Sequence, residues 1–144
     1  MTRLNLPQDL MQSIRQHGEQ FYPEEGAGLI LGHHDDKERN AVRLMPLRNT
    51  FESGERYHRY LINAKDMMSA EELADELDLE VIGVFHSHPD HPAEPSEFDR
   101  QWALPWYSYI ITRIDGGSAK ESRCWRLVED RASFVEEELN TYDA

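Results

Sequence analysis

Apolar and polar positions alternate in short blocks along most of the chain, and the period of the pattern changes several times. Thr2 to Leu6 alternates with period two and is expected to form a first strand. From Pro7 to Phe21, the residues Leu10, Met11, Ile14 and Phe21 fall near one face of a helix, so an amphipathic helix is predicted, with Pro7 in its first turn. Tyr22-Pro23 ends it, because the residue before a proline avoids the helical region. Glu25 to Gly32 reads as a short buried strand whose glycines imply close backbone approach or a bend. A charged turn over His33 to Asn40 leads into a strand over Ala41 to Leu47, with Val42 and Leu44 facing one way and Leu47 with them unless Pro46 disturbs the pattern.

Asn49 to Arg56 is a polar loop holding Gly54, and Tyr57 to Ile62 is a further strand candidate. Ala64 to Leu77 is built from good helix formers behind the cap residue Asn63, with Met67, Met68, Leu73 and Leu77 as its expected buried face. Val81 to His86 is apolar almost throughout, as in a central strand covered on both faces. Ser96 to about Ala103 reads as a short helix. Tyr107 to Ile114 and Ser118 to Val128 read as a hairpin turning at Asp115-Gly116-Gly117. Phe134 to Leu139 is a last strand or short helix, and its Glu136-Glu137-Glu138 run a solvated face. No repeat, low-complexity segment or linker interrupts the pattern. The expectation is one domain over residues 1–144, of mixed α/β (α+β-like) class, with a largely antiparallel sheet flanked by two or three helices.

Composition narrows the function classes. A length of 144 residues suits one domain with a real core. The 28 acidic against 15 basic side chains leave a net charge of -13, which argues against nucleic acid and anionic membrane surfaces as partners. Cys124 is the one cysteine, so no disulfide forms within the chain, as suits a reducing cytosol. No apolar run is long enough to span a bilayer, and the first residues lack the apolar core of a signal peptide. A cytoplasmic location is expected.

The chemistry gathers in Val81 to Asp99. His86 and His88 stand two apart at the end of an apolar strand, so both imidazoles lie on one face, with Cα atoms about 6.6 Å apart at strand rise. Ser96 is a natural N-cap, and Asp99 three residues later completes a capping-box pattern. The same spacing puts Asp99 on the face of the helix that Ser96 starts, turned toward the histidines. Two imidazoles and a carboxylate are ligands for a catalytic zinc ion with an open position, which activates water at neutral pH. A carboxylate base is then needed. Asp90, Glu94 and Glu97 are near in sequence, and Glu24 and Glu25 distant; spacing does not choose among them. His91 is a further possible ligand.

His86-Ser87-His88-Pro89, seven residues from His88 to Ser96, then Asp99 two residues further: this pattern resembles the metal motif of the JAMM (MPN+) zinc metalloprotease family, in its compact prokaryotic form. Pro23-Glu24-Glu25-Gly26-Ala27-Gly28-Leu29 is similar to the segment that carries that family's catalytic glutamate. The resemblance runs over most of the chain and implies a cytidine-deaminase-like MPN fold. It implies one Zn2+ per chain on His86, His88 and Asp99, Glu25 as general base and acid, and Ser96 as a stabiliser of the oxyanion. Ser87 points to the opposite strand face and is read as structural. Ala27 departs from the cysteine of many bacterial relatives, at a position that is no ligand. The resemblance further implies hydrolysis of the bond after the C-terminal Gly-Gly of a ubiquitin-like or sulfur-carrier protein. Val84 to His86 and the loop over Asn49 to Arg56 are candidates for gripping such a tail by strand addition. A non-catalytic MPN scaffold or binding module is the alternative, and a peptidase of cell-wall or phage-tail substrates a third. Trp102, Trp106 and Trp125 are expected to pack in the core or surface, with Trp102 and Trp106 near enough to wall the site. An edge-strand dimer is compatible with the pattern.

Overall fold

The structure, a computed structural model, describes residues 2–47 and 62–143. Its first strand, β1 (Arg3–Pro7), leads into α1 (Gln8–Phe21), a hairpin of β2 (Ala27–His34) and β3 (Glu38–Leu47), and α2 (Ala64–Glu76). Then come β4 (Glu80–Pro89), α3 (Glu97–Trp102), and the antiparallel run β5 (Ser108–Asp115), β6 (Ser118–Leu127) and β7 (Phe134–Tyr142). The loop expected over Asn49 to Arg56 and nearly all of the strand expected over Tyr57 to Ile62 lie outside the described residues. No helix among the described residues is long and apolar enough to cross a membrane.

The strands run in the order β1-β3-β2-β4-β5-β6-β7, and β7 returns to β1 to close a barrel. The mixed α/β class with flanking helices agrees with expectation, and the sheet is corrected: it closes on itself, and β1–β3, β1–β7 and β4–β5 are parallel beside four antiparallel pairs among the described strands. The parallel β4–β5 pair is possible because the loop and α3 supply a crossover. Closure leaves no free edge among the described strands. Val84 to His86 therefore cannot add a strand, since β4 is already flanked by β2 and β5, and the edge-strand dimer has no described edge to use.

α1 buries Met11 and Ile14 against a core of Leu4, Leu6, Ile30, Phe85 and Ile110, and Gly18 against Ile114 and Ser87. α2 covers a second core around Leu29, Val84, Tyr109 and Leu127. It does so with Ala70 and Ala74, while Met68 and Leu77 are exposed. The expected Met-Leu face holds at Met67, which packs against this core, and is corrected at Met68 and Leu77: small residues four apart let the helix lie close to the sheet, and those longer side chains splay at its margins. Asn63 does cap α2, its side chain accepting from the Asp66 N–H at 2.8 Å. The expected turn over His33 to Asn40 is shorter, because β2 and β3 pair as far as His34 and Arg39 and Asp35 accepts from the N–H groups of Lys37 and Glu38. A register shift between Leu31 and Gly32 turns Ala41 inward and leaves Val42 outside. Gly28 is required by close approach: a Cβ there would stand 2.2 Å from the Phe85 ring.

β7 is a strand, and strand alternation overturns the reading of its three glutamates as one solvated face. Glu136 and Glu138 pair with Arg123 and Arg3 outside. Glu137 is buried, accepting from the Ser108 hydroxyl at 2.6 Å and from the Cys124 thiol and the Thr2 hydroxyl.

Candidate metal centre and active-site cleft

β4 delivers the two histidines. Its ladder sets His86 opposite Ala27 of β2 and Ile111 of β5, and His88 opposite Arg113. Held on both sides, the rings lie on one face with centroids 5.0 Å apart and almost no exposure. Burial pushes the His86 imidazole toward its neutral form, against the pull of Asp99.

α3 delivers Asp99. Ser96 Oγ accepts from the Asp99 N–H at 3.1 Å, and Asp99 Oδ2 accepts from the Ser96 N–H at 2.8 Å, so the capping box is complete. The box fixes the carboxylate rotamer. Asp99 Oδ1 then stands 3.6 Å from His86 Nε2, and Oδ2 3.1 Å from His88 Nε2. Each of these two contacts, made by a different carboxylate oxygen, is near the ~3.3 Å edge of a tetrahedron with arms of 2.0–2.1 Å. Burial would raise the Asp99 carboxyl; the charge of His86, the hydrogen bond and charge of His88, and the Ser96 N–H outweigh it and bring it to about 2.

The His88 tautomer adds a second indication. Its Nδ1 lies 2.9 Å from the Pro92 carbonyl oxygen, which only accepts, so Nδ1 carries the proton. In the neutral ring, Nε2 then presents a lone pair to a carboxylate oxygen. That contact is favourable only with a cation or a proton between them. A backbone carbonyl orienting a metal-binding histidine is a common arrangement.

Glu25 approaches from the opposite side of His86. Ser87, whose side chain leaves the opposite face of β4, accepts from the Gly26 N–H at 2.8 Å, and its own N–H donates to the Gly26 carbonyl at 3.0 Å. This doubled link extends the β2–β4 pairing to the residue next to Glu25. Glu25 Oε1 lies 3.5 Å from His86 Nδ1, with the residue 2 % exposed. Burial, reinforced by Asp99 and opposed by His88, raises its carboxyl to about 8. Donor atoms of Glu25, His86 and His88 all fall within 4.8 Å of one another. His86 thus stands between two carboxylates, Asp99 on Nε2 and Glu25 on Nδ1.

The other acidic candidates have different occupations. Asp90 accepts from the Tyr22 hydroxyl and the Gly116 N–H, Glu94 pairs with Arg123, and Glu97 pairs with Arg100. A cleft of about 510 Å³ opens over the site, bordered by Glu25, His88, His91, Pro92, Glu94 and Ser96. Trp102 and Trp106 stand exposed away from this border, so neither walls the site or packs in the core; Trp125 is half-buried and donates from its indole to the Ala93 carbonyl. The Pro92 carbonyl was not foreseeable from sequence, since any residue type supplies one.

Residues 7–128 match the family described as prokaryotic homologs of the JAB domain. The chain belongs to this family. A Thermus thermophilus relative named as a probable TtuB-protein conjugate cleaving protease is 31% identical over 116 residues, covering 78% of this chain and 72% of that protein. A Haloferax volcanii desampylase is 29% identical over 120 residues, covering 80% and 84%. Tail tip assembly protein K of Escherichia phage N15 is 29% identical over 104 residues, 69% of this chain but 38% of that one. Among solved structures, that of a Desulfitobacterium hafniense protein superposes with a TM-score of 0.85 at 26% identity, covering 98% of this chain and 94% of its own. A JAB1/MPN domain protein from Archaeoglobus fulgidus, at 18% identity and TM-score 0.58 with 99% and 98% covered, shares the fold. The JAB-domain match spans Glu25, both histidines, Ser96 and Asp99.

Proposed function

We propose that this chain is a cytoplasmic zinc peptidase that hydrolyses the bond following the C-terminal Gly-Gly of a ubiquitin-like or sulfur-carrier protein. The observation that carries this reading is the gathering of buried His86, His88 and Asp99, with Glu25 beside His86, under a cleft lined by Glu25, His88 and Ser96. The relatives named as a conjugate-cleaving protease and a desampylase support the substrate class.

The donor set of two imidazoles and a carboxylate fits zinc, and one ion held there by His86, His88 and Asp99 would supply the Lewis acidity that makes water nucleophilic at neutral pH. Glu25, buried beside His86 and lining the cleft, takes the proton of the attacking water and hands it to the leaving nitrogen. Asp99, drawn down to about 2, stays anionic throughout. Ser96 spends one lone pair on the Asp99 N–H, which leaves its hydroxyl proton to donate into the cleft toward the oxygen of the scissile carbonyl.

The metal half of the reading is tested by zinc content. Protein purified without chelators is expected to hold one zinc per chain, and His88→Ala or Asp99→Ala to hold almost none. Wild-type protein without zinc would contradict the reading and favour a binding module without hydrolytic activity.

A further inference from the structure

α3 carries Asp99 and Ser96, yet it is six residues long. A helix that short has no cooperative stability of its own. Side chains from the barrel hold it. Arg131, in the connection between β6 and β7, donates from Nη1 to the Ala103 carbonyl at 2.7 Å. Its Nη2 donates to the carbonyls of Gln101 at 2.9 Å and Arg100 at 3.2 Å. Arg100 returns a bond from Nη1 to the Arg131 carbonyl at 2.8 Å. Just past the helix, the Leu104 N–H donates to the Tyr109 hydroxyl at 2.7 Å, and Arg126 donates to the Pro105 carbonyl at 3.1 Å.

Arg131 does most of this. Its planar fork satisfies three carbonyls that the helix end leaves without intrahelical donors. Its charge sits at the negative end of the helix. Its backbone is in the left-handed region, φ 63, which a non-glycine residue occupies at a cost and only where its surroundings demand it. It also lies beyond the family match, which ends at residue 128.

We propose that Arg131 is a positioning residue for the metal centre: by gripping the last carbonyls of α3, it sets where the first turn presents Asp99 to His86 and His88. It touches none of the donor atoms and acts through about 6 Å of helix. The inference rests on the zinc reading above.

Zinc affinity, measured by competition with a chromophoric chelator well below the unfolding temperature of the metal-free protein, tests it. Arg131→Ala and Arg131→Gly are expected to weaken zinc binding severalfold, less than loss of a direct partner of a metal ligand would. Arg131→Lys should recover part of this, since one ammonium can serve some of the carbonyls. Arg131→Gly separates positioning from general stability. Glycine is at home at φ 63, so this variant is expected to unfold no earlier than Arg131→Ala while binding zinc as poorly. A folded Arg131→Gly protein with wild-type zinc affinity would overturn the inference and leave the metal reading intact. Wild-type protein that binds no zinc would overturn both.

Discussion

A carboxylate buried beside two imidazoles carries a cost that depends on pH. The Glu25 carboxyl is raised to about 8 in the fold, against an ordinary 4.5. Between those values the folded chain holds a proton that the unfolded chain has released, so the stability of the metal-free protein falls as pH rises through the window. The contribution is complete below about 4.5 and gone above about 8, and it is on the order of a few kcal/mol. Glu25→Gln keeps the shape and removes the titration. Metal-free Glu25→Gln is expected to outlast wild type in urea at pH 8.5 and to show a flatter stability profile from pH 5 to 8. Equal profiles would show that the carboxylate is solvated or paired well enough to cost nothing. The identity of Glu25 was legible only by its resemblance to a known segment. Local spacing left Asp90, Glu94 and Glu97 equally eligible, and only the fold shows each of them engaged elsewhere.

At the scale of elements, β4 and α3 were readable because their information is local. An apolar strand ending in His86-Ser87-His88 and a capping box over Ser96 to Asp99 are decided by neighbours one to four residues away. The link from Ser87 to Gly26 is not local, since 61 residues separate the partners. A serine between two ligands says nothing about which backbone it will meet. With that link in view, Ser87→Ala has a distinct consequence. It leaves the ligand face of β4 unchanged and strands a buried N–H next to Glu25, a loss of roughly 1–3 kcal/mol at that point. The expected result is a turnover number about tenfold lower at unchanged zinc content, read from steady-state kinetics with metal analysis of the same samples. A loss of zinc with unchanged turnover per bound metal would assign Ser87 to the metal face instead. α2 teaches the reverse lesson. Its existence, its Asn63 cap and the inward Met67 were legible, whereas Met68 and Leu77 were misjudged because hydrophobicity favours long side chains where the closest packing is made by Ala70 and Ala74.

For the whole molecule, the strands were legible one by one but their closure was not. β1 and β7 meet in parallel across the full length of the chain, with Asn5 opposite both Asn40 and Asn140. Their side chains bond in series, Asn5 to Asn40 at 2.9 Å and Asn140 to Asn5 at 3.0 Å. No periodicity in either strand announces that partner. The same closure hides Glu137 within a surface-like acidic run. It also fixes the orientation of β4, so that one strand end can hold two imidazoles while Glu25 and α3 approach from either side.

The central claim joins this geometry to a reaction, and cleavage of a sulfur-carrier fusion extended past its Gly-Gly tests it most directly. Wild-type protein is expected to cut after the second glycine. Glu25→Gln, with its zinc still bound, is expected to be slower by 10²–10⁴-fold, the usual contribution of a general base. Cleavage by zinc-bound Glu25→Gln at the wild-type rate, or no cleavage by zinc-loaded wild type, would contradict the account.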